Sequence, residues 1–273
     1  MPAIRTRSSA TPAPAGSRSR RLAWVGALTG GLLAVLFWMP AHWLTGAVNR
    51  AAQQRLVLED ARGTVWTGSA RLLVSGGEGS RDVAALPGRV DWRLRPSLTG
   101  AWLELQASCC SRAPVEIALS PRWNGAVVKV GALQLRWPLG LLAGLGTPWN
   151  TVQLQGSMDI GSDGLNLAWD AGRLQATGQV RMEASDVASR LSTLRPLGSY
   201  LLELAAPGPG QDPNLSLKTL SGNLLLTGQG QWVGSRLRFS GEAVAVEGRE
   251  AALDNLLNII GRRSGARSII TVG

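Results

Sequence analysis

From Val57 onward, apolar residues recur at every second position in short runs, and that period commits the chain to β-structure. Alternate side chains of a strand share a face, so a half-buried sheet demands an apolar residue at every other place. Arg89–Arg95 alternates cleanly, with Val90, Trp92 and Leu94 directed inward and Arg89, Asp91, Arg93 and Arg95 outward. The same rhythm runs through Val152, Leu154, Met158 and Ile160, through Leu174, Ala176, Val180 and Met182, and through Leu237, Phe239, Ala243 and Ala245. Less regular runs at 64–74, 101–107, 115–119, 126–130, 133–137 and 165–169 bring the count to about ten to twelve strands. Glycines, 34 in all, punctuate them in turn contexts such as Asn124-Gly125 and Asp163-Gly164. The expectation is a mainly β fold: an antiparallel, meandering, curved sheet over 57–273 with one or two short helices and a C-terminal helix.

Three stretches depart from the period of two. Residues 140–145 are short, apolar and followed by Pro148, which fits a helical turn or a loop. Over 186–204, Val187, Leu191 and Leu194 have helical spacing, Asp186 is placed to cap, and Pro196 ends or kinks the segment. Over 250–260, Ala252, Leu253, Leu256, Leu257 and Ile260 form one stripe that stops at Gly261, a favourable C′ residue. Residues 206–214 hold three prolines and two glycines, a flexible connector or a boundary between sheet segments.

A different solvent is implied at the other end. Leu22–Met39 is free of charge and follows Arg18, Arg20 and Arg21. At about 1.5 Å per residue it reaches roughly 27 Å, close to the hydrocarbon thickness of a thin bilayer. It reads as a single transmembrane helix over 22–41, with Leu22, Trp24, Gly26, Gly30, Leu33, Phe37 and Trp38 as its anchor residues. A cleaved signal peptide is the competing reading, but the apolar core is too long and no small-residue cleavage site follows. Trp24 and Trp38 suit the two interfaces, and Gly26 with Gly30 allows a close helix approach. Arginines 5, 7, 18, 20 and 21 precede the span with no acid among them, so the positive-inside bias keeps a disordered tail, 1–21, in the cytoplasm. The bulk of the chain then lies outside it, joined through a helical connector at 42–56 whose apolar side is Trp43, Leu44, Ala47, Val48 and Ala51.

Charge and chemistry are narrow. The net charge is +10, but five basic residues sit in the tail, which leaves 23 basic against 18 acidic residues beyond it. Those alternate with acids along strands, unlike a phosphate-tracking stripe, so nucleic acid is not an expected partner. One histidine, His42, leaves no triad and no zinc site to assemble; no enzyme activity, metal or cofactor is expected. Cys109 and Cys110 are neighbours, which leaves a vicinal disulfide, free thiols or a bond to a partner. Eleven tryptophans stand against one tyrosine and two phenylalanines. They are either core packing or, at Trp66, Trp92, Trp102 and Trp137, an interaction face that receives a partner strand.

The run 58–70 (LEDARGTVWTGSA), the run 86–96 (LPGRVDWRLRP), Cys109-Cys110 and 256–263 (LLNIIGRR) resemble protein N of the bacterial type II secretion system. With the span included, the resemblance covers nearly the whole chain, and its motifs are structural patterns. It implies a single-pass inner-membrane protein with a periplasmic β-domain, a non-enzymatic component that supports export of folded proteins. The partners it implies are inner-membrane platform proteins, the outer-membrane secretin, or both, besides the lipid bilayer. The alternative is an AsmA-like lipid-binding or lipid-transfer protein that uses an apolar sheet groove.

Overall fold

The structure is a computed structural model that describes residues 17–208, 210–234 and 236–273, with 17–22 described by backbone alone. It divides into two units between Met39 and Pro40. In the first, helix α1 covers Ser17–Phe37 and begins before the expected boundary at 22; the remainder of the expected tail, 1–16, lies outside the described residues. Among the described residues no helix is long and apolar enough to cross a membrane, so the span rests on the sequence.

The second unit opens with helix α2 (Ala41–Ala51), which begins one residue before the connector expected at 42–56. Its buried side differs from the expected one: Ala41 and Thr45 are buried, Leu44 and Val48 half-buried, while Trp43, Ala47 and Ala51 are exposed. Ala41 packs with Ala70 and Trp92, and a tryptophan at the next position but one cannot turn the same way on a helix.

Strands follow as β1 (Leu56–Gly63), β2 (Thr67–Ser75), β3 (Val83–Ala85), β4 (Val90–Ser97), β5 (Gly100–Ala107), β6 (Val115–Arg122), β7 (Gly125–Val130) and β8 (Leu133–Pro138). A 3₁₀ turn (Leu139–Leu145) and short helix α3 (Trp149–Val152) intervene before β9 (Gln155–Ser162), β10 (Leu165–Asp170) and β11 (Arg173–Ala188). Then come β12 (Gly198–Pro207), β13 (Asn214–Gly222), β14 (Leu224–Val233), β15 (Arg236–Ala245), helix α4 (Glu250–Ile260), β16 (Arg262–Ser264) and β17 (Arg267–Val272). Among the described residues these seventeen strands form one sheet, and every pairing in it is antiparallel.

Order along the sheet nearly repeats order along the chain, which is the meander that short strands and turn residues predict. β7 pairs with β10 and β8 with β9, so 125–138 and 155–170 act as two long, bent neighbours. The sixteen residues of β11 bridge both halves, meeting β10 through 173–178 and β9 through 181–188. Near 207–214 the chain turns between β12 and β13, which pair directly, so this stretch is a hairpin loop within one sheet and not a boundary.

The helix expected over 186–204 is absent. β11 continues to Ala188 and β12 begins at Gly198, because Ala184 and Tyr200 are already matched across the sheet. Between them two serines compete for the backbone. Ser189 Oγ accepts from Leu191 N (3.2 Å) and donates to Val152 O (2.6 Å); Ser192 Oγ accepts from Leu194 N (3.1 Å) and donates to Ala252 O (3.1 Å). Such local bonds favour turns over helix. Leu191 and Leu194 still reach the core, so their spacing reported burial correctly and conformation wrongly.

The C-terminal helix forms over the expected residues, with Leu253, Leu256 and Leu257 buried against Leu224, Ala243 and Ala245. Gly261 ends it differently from expectation. Its backbone is extended, and glycine is needed because a Cβ there would stand 2.5 Å from Ile269 O.

Two of the runs that resemble the secretion family, 58–70 and 86–96, meet in one corner of the sheet through β1, β2 and β4. Gly68 lies under Trp92, where a Cβ would come 2.5 Å from Cζ2. Trp92, 4% exposed, donates Nε1 to Thr64 O (3.2 Å) and Val65 O (3.1 Å), which satisfies the indole inside the core.

A two-faced sheet with apolar cavities

Antiparallel register carries one apolar row across strand after strand. Leu94 faces Leu103, Leu103 faces Ile117, Ile117 faces Val130, Val130 faces Leu165, and Leu165 faces Gly178. On the same side, Val180 faces Leu204 and Met182 faces Leu202; Leu217 then lies opposite Leu202 and Gly228 opposite Leu217. Directly opposed residues project to one face, so this side is apolar over the greater part of the sheet.

The other face is ionic. Arg93 and Glu104 (3.6 Å), Arg136 and Asp159 (2.8 Å), and Arg181 and Glu203 (3.5 Å) are cross-strand partners. A hydrogen bond from Arg136, helped by its charge, holds the Asp159 carboxyl below the usual carboxylate range. These pairs are exposed, so they set register and solubility more than stability.

Two cavities occupy consecutive lengths of the apolar face. The first, about 640 Å³, has Met182 and Ala184 of β11, Tyr200 and Leu202 of β12, and Leu226 of β14 as its floor. Trp149, Leu256 and Ile260 wall it, so the 3₁₀ turn, α3 and α4 exist around it as sides. The second, about 670 Å³, continues along Gly178, Val180, Leu204 and Ala206, with Trp232 and Pro213 at its end. Both volumes fall within the ~300–1,000 Å³ of small-molecule sites. The Tyr200 hydroxyl in the first is already matched: it donates to Leu224 O (3.0 Å), and burial pushes that phenol's pKa upward.

The four tryptophans read as an interaction face are not brought together. Trp92 is core; Trp137 is half-buried against the cluster of Leu86, Cys110 and Leu141; Trp66 is half-buried. Trp102, 54% exposed, faces Arg95 and Ala118 on the ionic side. Anchor residues Trp24, Gly26, Gly30, Leu33 and Phe37 lie on α1 and are exposed, Trp38 follows it, and the side chain of Leu22 lies outside the described residues. Cys109 and Cys110 are joined to each other, with Cys110 buried and Cys109 exposed. The alternative reading of an apolar sheet groove anticipated such a space but named none of its lining; the signal for the lining was the alignment of period-two rows once each hairpin is folded back on its neighbour.

The sheet is a broad open meander, apolar on one side and ion-paired on the other. Among the described residues no group of three or more His, Cys, Asp or Glu gathers as a metal site would require. The model of the type II secretion system (T2SS) protein N family matches residues 54–270, and the chain belongs to that family. No curated protein and no solved structure matches it.

Proposed function

We propose that this type II secretion component works without catalysis, as an inner-membrane protein that supports export of folded periplasmic proteins by docking other secretion components through one edge of its sheet. Family membership carries the reading. The geometry that favours one docking edge is an asymmetry between the sheet's two ends.

At the β1 end the edge is closed. Asn49 of α2 accepts from Leu58 N (2.8 Å) and donates to Leu58 O (3.4 Å), as a neighbouring strand would, and Pro40 bridges to Thr64. At the other end, β16 pairs only with 267–269 of β17, so Ile270–Val272 has no partner on its outer side among the described residues. An unpaired strand edge is a template for strand addition. The occupant we assign is an extended segment of a platform protein or of the secretin.

Placement at the inner membrane with the sheet in the periplasm is part of the proposal. It is supported by the uncharged run 22–39, the arginines before it, and the exposure of Trp24, Leu28, Leu32 and Phe37 on α1. A photocrosslinking residue at Thr271 should capture a secretion protein in cells, and one at Asn49 should not; equal capture at both, or at neither, would count against the edge. Deleting the gene should reduce exoprotein in the medium while the substrate accumulates in the periplasm.

A further inference from the structure

We infer that the apolar face from Leu174 to Ala184 takes an acyl chain of an anionic phospholipid, with Arg262 meeting its phosphate. Even-numbered residues of β11 from 174 to 184 line the two cavities in turn, a path of about 33 Å at ~3.3 Å per residue. One leaflet of a bilayer's hydrocarbon core is about 15 Å deep, so an extended chain is accommodated lengthwise.

Competing occupants fit less well. An eleven-residue helix about 10 Å across fills on the order of 1,300 Å³, roughly twice the first cavity. A peptide strand laid on the floor would find no backbone partner there, because β11, β12, β13 and β14 are paired on both sides. Tyr200 offers nothing either, since its hydroxyl is spent on Leu224 O. Hydrocarbon needs no hydrogen bonds and loses none in such a place.

Charge selects the headgroup. Arg262 lines the first cavity, is exposed, and makes no ion pair among the described residues, whereas its neighbour Arg263 is held by Asp254 (2.9 Å). A guanidinium with free N–H groups matches a phosphate in two-point geometry.

The test uses the full chain in cells fed a fatty acid that carries a diazirine and a clickable tag. After irradiation, residue-level mass spectrometry of the purified protein should place phospholipid adducts on Met182, Ala184, Leu202 and Leu204, several-fold above Glu183 and Glu203 on the opposite face. Leu202→Trp, or the milder Ala184→Leu, should cut the cavity adducts several-fold with the melting temperature held, and Arg262→Glu should lower phospholipid adducts. Label confined to residues 23–39, label spread evenly over both faces, or loading unchanged in the filled-cavity variants would overturn the inference. Because it reads lipid and not secretion, it can fail while the docking edge stands, and the reverse.

Discussion

Arg89 clasps Asp60 across the first strands of the sheet, its Nη1 lying 2.6 Å from Asp60 Oδ2. Nη2 also reaches Asp60 O and Ser69 O, and Nε donates to Ser69 Oγ (3.0 Å). The contact sits at a bulge, where Asp60 adopts φ 49° and the β1–β2 register shifts between Glu59 and Arg62. A left-handed residue inside a strand needs outside support, and this guanidinium supplies it. Arg89→Ala is expected to lower the melting temperature clearly more than Arg62→Ala, since Arg62 is 69% exposed and bonds only to Asp60.

The same contact gives an acid limb. Hydrogen bonding from Arg89 first, and from Arg62 after it, holds the Asp60 carboxyl below its ordinary value. A depressed folded pKa means stability present above the unfolded value, near ~3.9, and lost as pH falls through the lower folded one. In acid titrations followed by circular dichroism, Asp60→Asn should flatten the loss below about pH 4, and salt should shrink the difference because the pair is exposed.

Gly68 and Trp92 are in contact with no room for a methyl group. Gly68→Ala should cost about 1–3 kcal/mol by overpacking. Trp92→Phe keeps most of the ring but leaves the Thr64 and Val65 carbonyls without their donor, at about 1–3 kcal/mol; thermal melts would measure both. Trp92→Arg, which buries a charge at a place 4% exposed, should cost more than either.

Tyr200 is the sole tyrosine, so ultraviolet difference titration reads it alone. Burial raises its folded pKa, and a raised value means stability kept below the unfolded pKa of ~10 and lost above it. The native protein should show no phenolate at pH ~10, and ionisation should coincide with alkaline unfolding. Tyr200→Phe should cost about 1 kcal/mol for the lost bond to Leu224 O.

The turn after β5 is held by its backbone. Cys110 N and Ser111 N donate to Ala107 O (2.9 and 2.8 Å), Arg136 N to Cys110 O (2.7 Å), and Arg112 N to Gln134 O (3.2 Å). Replacing both cysteines by serine should therefore leave circular dichroism and exoprotein secretion nearly unchanged. A complete export defect with an intact fold would make the pair functional.

What the sequence made legible was whatever a single segment decides. Trp92 falls inward because its own strand alternates, and α4 forms because five apolar residues fall on one stripe that only a helix can bury. The conformation of 186–204 and the buried side of 41–51 differ from expectation for the same reason. Ser189 and Ser192 bind carbonyls from Val152 and Ala252, which are remote in sequence, and the neighbour that chooses the buried side of α2 is Ala70, also remote. The cavities are further still from local reading, since each needs four or more strands in register before a volume exists. Four scattered tryptophans suggested a face that the pairing of Trp102 with Arg95 divides.

Asn49 has a consequence for assembly. A sheet whose first strand is already stopped by a side-chain amide can be extended at one end only. Two copies that met through that end would leave each β1 edge stopped, so strand pairing would close at a pair. The Asn49 carboxamide fills the place that an added strand would take beside Leu58.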